Sequence, residues 1–220
     1  SYGDTAVQVL VMPNTVSYTE NFASGAPKYF DAPAAGTWTA AKGSYSGIAP
    51  ANAYAIANID LGLSLGMKPG AFALQPSSSL EITAVMKQIS SRAGLVYDMF
   101  GTGQFNFAAL FVDTQQVVLG HYTTAGGWVL DAVTSYRLNS GTSYTLDLLS
   151  YTYGEATTAG KFGLLTVNGT STFTSVQTRS NDPAFHAAAS GTPTLLQTEA
   201  DPAPATPKGA TNLTNDQLAQ

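Results

Sequence analysis

The sequence predicts an all-β fold, a two-sheet antiparallel sandwich. Three observations carry this. Between Arg92 and Val133 lie four short runs rich in β-branched and aromatic residues (Gly94–Phe100, Gln104–Asp113, Gln116–Thr123, Trp128–Val133). They are separated by Gly-Thr-Gly, Thr-Gln and Thr-Ala-Gly-Gly, the pattern of consecutive antiparallel hairpins. Further alternating runs flank this meander, and no stretch has a convincing helical period. Finally, 220 residues suffice for one sandwich that buries roughly 70% of its unfolded surface. No staple is needed, and with no cysteine none is available.

In chain order, Asp4–Met12 alternates with Val7, Val9 and Val11 on one side, and Pro13-Asn14 stops it. Residues 1–15 are thus the end strand of a preceding repeat or the first strand of the sandwich. Val16–Phe22 reads as a strand, Ala23–Ala35 as a turn-rich loop, and Thr37–Gly47 as two half-strands around Lys42-Gly43, with Trp38 most simply a core residue. Tyr54–Gly62 and Ser79–Lys87 follow, joined by a long proline-bearing link, as where a chain crosses between sheets. Past the meander come Ser143–Leu149, Lys161–Val167 and Ser171–Gln177. Asn168-Gly169 between the last two predicts a type I′ hairpin. About twelve strands result, in a sandwich spanning residues 16–185. Residues 186–220 read as a Pro/Ala-rich linker and tail, with Thr214 or Asn215 a candidate N-cap ahead of Leu218.

Only 10% of the residues are charged and the net charge is −5, so hydroxyls and amides carry solubility and no basic surface exists for nucleic acid or anionic lipid. Absent cysteine and a weakly charged surface suit an extracellular module. No apolar run approaches the ~20 residues of a membrane span, and residues 1–15 lack the basic and apolar regions of a signal peptide. The chain reads as part of a longer exported protein.

A glycosidase needs two carboxylates at close range, commonly two to five residues apart on one strand, and the sequence offers no such pair: Glu20, Glu81, Glu155 and Glu199 each stand alone. With His121 and His186 the only histidines and no Gly-x-Ser-x-Gly elbow, a nucleophilic triad has no support. The expectation is a non-catalytic protein. For calcium, Glu20, Asn21 and Asp31, with Asp182 if the chain ends meet, are candidate oxygen ligands. The simpler reading, with no Asp-x-Asp-x-Asp loop present, is that Glu20 and Asn21 cap a strand end and Asp31 holds a turn.

The candidate recognition surface lies on the meander. Period-two alternation sets Leu95, Tyr97 and Met99 against Val96, Asp98 and Phe100, and makes Phe105, Phe107, Ala109 and Phe111 a core side with Asn106 facing the other way. His121 shares a side with Val117 and Leu119, opposite Val118 and Tyr122; Trp128 and Leu130 oppose Val129 and Asp131. Asp98, Asn106, His121, Tyr122, Trp128 and Asp131 are the candidate ligand-binding residues. Aromatic faces pack on pyranose rings while carboxylates and amides bond their hydroxyls. Each also has a structural reading: Asp98 pairing with His121 or Arg92, Trp128 as a core anchor, Tyr122 covering an edge. A sugar site requires Trp128 or Tyr122 exposed beside Asp98.

The pieces Gly-Leu-Val-Tyr-Asp, Val-Leu-Gly-His, Gly-Gly-Trp and Phe-Gly-Leu-Leu-Thr stand in this order between Val16 and Gln177. This run resembles the LamG-like (laminin G type) domains of large bacterial surface and secreted proteins. The resemblance implies a concanavalin A-like two-sheet jelly roll, an exported location, and carbohydrate binding or adhesion, with glycans or neighbouring domains as partners. It also implies calcium as a common companion. It carries over Asp98, on the strand facing the concave sheet, with His121 and Trp128. The chain departs from the family after Tyr144–Leu149, where an expected hairpin is missing and Leu149 runs into Ser150–Glu155, implying a narrower sheet.

Overall fold

The computed structural model describes residues 16–60, 77–151 and 160–182. Among them run ten strands and no helix: β1 (Val16–Glu20), β2 (Thr37–Ala41), β3 (Ser44–Ile59), β4 (Ser79–Lys87), β5 (Arg92–Gly101), β6 (Gln104–Phe111), β7 (Gln116–Thr123), β8 (Gly127–Ser135), β9 (Tyr144–Tyr151) and β10 (Lys161–Ser180). The expected strand Asp4–Met12, most of the link before Ser78, and everything beyond Asp182 fall outside the described residues. All pairings are antiparallel, and the all-β sandwich expected from the sequence is the fold.

Two long strands organise it. Lys161–Val167 of β10 lies between Tyr54–Ile59 of β3 and β5, which continues the front layer as β3-β10-β5-β6-β7-β8. Past Val167, β10 pairs with Tyr45–Ala49 of β3 and with β1 on one side and with β4 on the other, giving a back layer completed by β2 and β9. The same two strands serve both layers, turning the corner as bulged strands do.

Asn168-Gly169 therefore does not close a hairpin, which corrects the reading of that dipeptide. Both residues take positive φ, 55° and 128°, as a type I′ turn would require, but the chain runs on through a register shift. Tertiary contacts decide this. The Asn168 side chain accepts from the Asn52 N–H at 2.7 Å, and the Ser90 N–H donates to the Thr170 carbonyl at 2.9 Å. Tyr45 and Tyr54, expected on separate strands, likewise lie on one strand bent at Asn52 (φ 58°). Among the described residues ten strands stand where about twelve were expected in the sandwich, because each of these two pairs of expected strands is one strand.

The inter-layer core joins Leu80, Ile82, Ala84 and Met86 of β4 to Ala93 and Leu95 of β5, Leu110 of β6, and Phe162 and Leu164 of β10. Phe22, Phe30, Tyr45 and Phe173 close one end with Trp38 packed on them at 4.9 Å from Tyr45 and 5.8 Å from Phe173, the core role its sequence suggests. Phe105, Phe107, Ala109 and Phe111 are buried but not in this core. They form a second cluster with Ile56, Val96, Met99, Val118, Leu165 and Val167 on the opposite face of the front layer.

That face is buried because the sheet curls. Tyr54 on β3 and Tyr122 on β7 are four strands apart, roughly 19 Å across a flat sheet, yet their ring centroids are 5.2 Å apart. Tyr54 also reaches Trp128, one strand further, at 5.8 Å. The front layer closes on itself like a partial barrel around the phenylalanine row. Gly120 permits this packing, since a Cβ there would lie 2.6 Å from Phe107 Cζ and 2.2 Å from the Val129 carbonyl oxygen.

Candidate functional site

The hairpin tips at Gly101–Gly103 and Thr124–Gly126 stack at one end of the curl, where the Thr124 N–H donates to the Gly103 carbonyl at 2.9 Å. Register puts Phe105, Tyr122 and Trp128 side by side on the concave face, and the curl brings in Tyr54, whose hydroxyl donates to the Thr102 carbonyl. Phe105 is fully buried and stacks on Tyr122 (5.1 Å, 24°), while Phe107 meets Trp128 edge-on at 5.1 Å. Tyr54, Tyr122 and Trp128 stay half-buried above this floor. Tyr122 and Trp128 are 5.1 Å apart at 52°, and Tyr54 crosses them at 65° and 83°. Burial and the neighbouring Tyr122 push the Tyr54 hydroxyl above the usual phenol range, so it is a neutral donor and acceptor throughout ordinary pH.

The other sequence candidates sit on the opposite face of the same strands. Tyr97, Asn106 and His121 are register partners in a row, and His121 Nδ1 lies 2.8 Å from Asp131 Oδ2. Asp131 is the extra residue of a bulge between β7 and β8. Asp98 joins this row through the Asn106 amide. Alternation breaks at Asp98, where φ is 46°, so that Met99 turns to the concave cluster instead of sharing the side of Leu95 and Tyr97. Gly160 holds the kink: a Cβ there would lie 2.4 Å from Asp98 Cα.

The six candidates are thus not one constellation: Asp98, Asn106, His121 and Asp131 are together, and Tyr122 and Trp128 are together, with the sheet between. Neither aromatic lies beside Asp98, as the expected sugar site required. Of the pairings considered for Asp98, neither forms, since His121 takes Asp131 and Arg92 takes Asp113 at 2.9 Å.

Burial raises the Asp98 carboxyl above its ordinary range, the Asn106 amide offsetting part of the shift, and one buried carboxylate oxygen has no hydrogen-bond partner. The folded chain therefore holds this proton more tightly than the unfolded chain. Stability falls as pH rises from the ordinary Asp value through the raised one, and the penalty persists at neutral pH. Asp98→Asn, tolerated at positive φ, is expected to be more stable than the parent at neutral pH and to lose that advantage in acid. Chemical denaturation across the pH range reads the difference; a parent and variant with parallel curves would contradict it.

Glu20, Asn21 and Asp31 are otherwise engaged. The Glu20 carboxylate accepts the Phe22 and Lys28 N–H groups, each at 2.7 Å, Asn21 accepts the Ala23 N–H at 3.0 Å, and Asp31 pairs with Lys161 at 3.0 Å. The contacts of Glu20 and Asn21 are those of a strand-end cap, the other reading of these residues, whereas the Asp31 side chain makes its ion pair with Lys161 rather than a turn contact. Asp182 lies two residues beyond the end of β10, whose last residue, Ser180, pairs with Val16 at the opposite end of β1 from Glu20. Among the described residues no group of three His, Asp or Glu side chains is placed to hold a metal. Glu20→Ala leaves the buried Phe22 N–H and the part-buried Lys28 N–H without their acceptor and is expected to cost about 1–3 kcal/mol, equally with calcium or a chelator; a calcium-dependent loss in thermal unfolding would place an ion at this corner.

Two features escaped the sequence. Tyr54 joins the aromatic mouth only through the curl, and no local pattern announces it. Glu81 and Asp147 are neighbours across β4 and β9, where burial and then the Asp147 charge raise the Glu81 carboxyl, with Arg179 at 3.1 Å opposing. Asp147 also accepts from Thr83 at 2.9 Å.

No protein-family model and no curated protein sequence matches the chain. Among solved structures it is similar to the carbohydrate-binding module CBM66 from Bacillus subtilis, with 12% identity, TM-score 0.49, and coverage of 66% of this chain and 93% of that one. It is also similar to the Caenorhabditis elegans galectin LEC-6, with 16% identity, TM-score 0.32, and coverage of 48% and 84%. A third is the apo Crh5 transglycosylase, with 12% identity, TM-score 0.40, and coverage of 77% and 86%.

Proposed function

We infer that this chain is a non-catalytic sugar-binding module of a larger exported surface protein of adhesin type. The observation that carries the reading is the mouth of the curled sheet: three half-exposed rings, two with hydroxyls and one with an indole N–H, on a floor of buried phenylalanines. Such rings cover the apolar face of a pyranose while their polar edges meet its hydroxyls. A non-catalytic role is supported by the carboxylates. Asp98 and Asp131 belong to the other face, and Glu81 and Asp147 lie on β4 and β9, which are not strands that form the mouth. The sparse charge of the sequence favours an extracellular setting.

The test is a glycan array probed with the parent, with Trp128→Ala and with His121→Ala. Binding by the parent and by His121→Ala but not by Trp128→Ala supports the concave mouth. Loss in His121→Ala alone would move the site to the polar face.

A second reading rests on β8. Among the described residues it pairs with β7 alone, and Val129, Leu130 and Val133 are 38%, 44% and 44% exposed. An apolar edge strand docks a neighbouring module or another copy of the chain. An array silent for a folded parent, with self-association in sedimentation, would favour this role.

A further inference from the structure

We propose that the mouth takes a single uncharged sugar ring, presented at a chain end or branch, and neither a flat run of polymer nor an acidic glycan. This rests on the sugar-binding reading above and narrows it. Two observations support it.

The first is the mutual inclination of the rings. A flat polysaccharide surface is matched by aromatic faces lying in one plane, whereas Tyr54, Tyr122 and Trp128 cross at 52°, 65° and 83° with centroids 5.1 to 5.8 Å apart. They form a corner. Phe105 already covers one face of Tyr122, stacked at 24°, and Trp128 has ring contacts with Phe105 and Phe107 besides Tyr54 and Tyr122. Among the described residues the three upper rings are thus inclined to one another and share no plane that successive sugar units would follow. A ligand one ring wide fills such a corner, with further units pointing away from the protein.

The second is charge. Among the described residues, those that make the corner (Tyr54, Thr102, Phe105, Tyr122, Thr124, Trp128) include no Asp, Glu, Lys or Arg. The nearest candidates by register, Asp98 and Asp131, are turned to the other side of the sheet. A carboxylate or sulfate brought here would lose water and gain no counter-charge. Hydroxyls meet tyrosine and threonine hydroxyls without such a penalty.

Titration calorimetry with methyl glycosides of neutral hexoses, their oligosaccharides and the matching uronic acids tests this, alongside sedimentation with insoluble polysaccharide. The expected result is binding of a neutral methyl glycoside within about tenfold of its oligosaccharides, little change with salt, no measurable binding of the uronic acid, and loss in Trp128→Ala. Affinity that climbs with each added unit, retention on insoluble polymer, or salt-sensitive capture of uronic acids, again lost in Trp128→Ala, would overturn the inference while leaving the sugar site standing. Failure of every neutral and acidic glycan to bind a folded parent would overturn both.

Discussion

Phe107→Ala is expected to lower the free energy of unfolding by about 3–5 kcal/mol, enough to threaten a domain whose total is of order 5–15 kcal/mol. Phe107 is fully buried, lies 6.4 Å from Phe111 in a parallel stack, supports Trp128 from below, and sits where Gly120 leaves it room. It lies on the face of the front layer that an uncurled sheet would show to water. The size of the loss therefore reports the curl itself. Leu119→Ala, on the adjacent strand but 44% exposed, is expected to change stability by no more than about 0.5 kcal/mol. Equal small effects for both variants in urea unfolding would mean that the concave cluster is not a packed core.

Trp128→Ala is expected to weaken glycan binding by about 30-fold or more, some 2 kcal/mol, the scale of a central aromatic in a recognition site. The indole touches Tyr54, Phe105, Phe107 and Tyr122, so its removal also lets the corner relax. Trp128→Phe separates the two effects, because it keeps a ring against the same neighbours while deleting the indole N–H. Retention of most affinity in Trp128→Phe would assign the contribution to ring packing. A loss as deep as that of alanine would assign it to the N–H. Unchanged binding in both folded variants would remove the mouth from consideration as the sugar site.

Much of the fold is legible in the residues themselves. The meander strands fall close to their expected limits because β-branched and aromatic runs end at glycine-bearing turns. The side assignments of His121, Tyr122, Trp128 and Asp131 also agree with alternation, since a register of period two leaves little freedom once a hairpin is formed. Alternation fails at Asp98, where a left-handed residue and a bulge shift the faces, and at Asn168-Gly169, where a turn signal is used as a bend.

The site was half legible. Its residue types pointed to sugar, and Tyr122 and Trp128 belong to the proposed mouth, but grouping them with Asp98, Asn106, His121 and Asp131 ignored the sheet that separates two faces. By itself the sequence determined an all-β chain, its hairpins, its uncharged character and the aromatic supply of the meander, because these follow from local propensity, periodicity and composition. Only the tertiary structure decided that β3 and β10 serve both layers, that β10, β5 and β6 of the front layer are largely buried on both faces, and that Tyr54 meets Tyr122 and Trp128. Those outcomes depend on how far the sheet curls, which is set by bulges and packing summed over six strands and is written in no single segment.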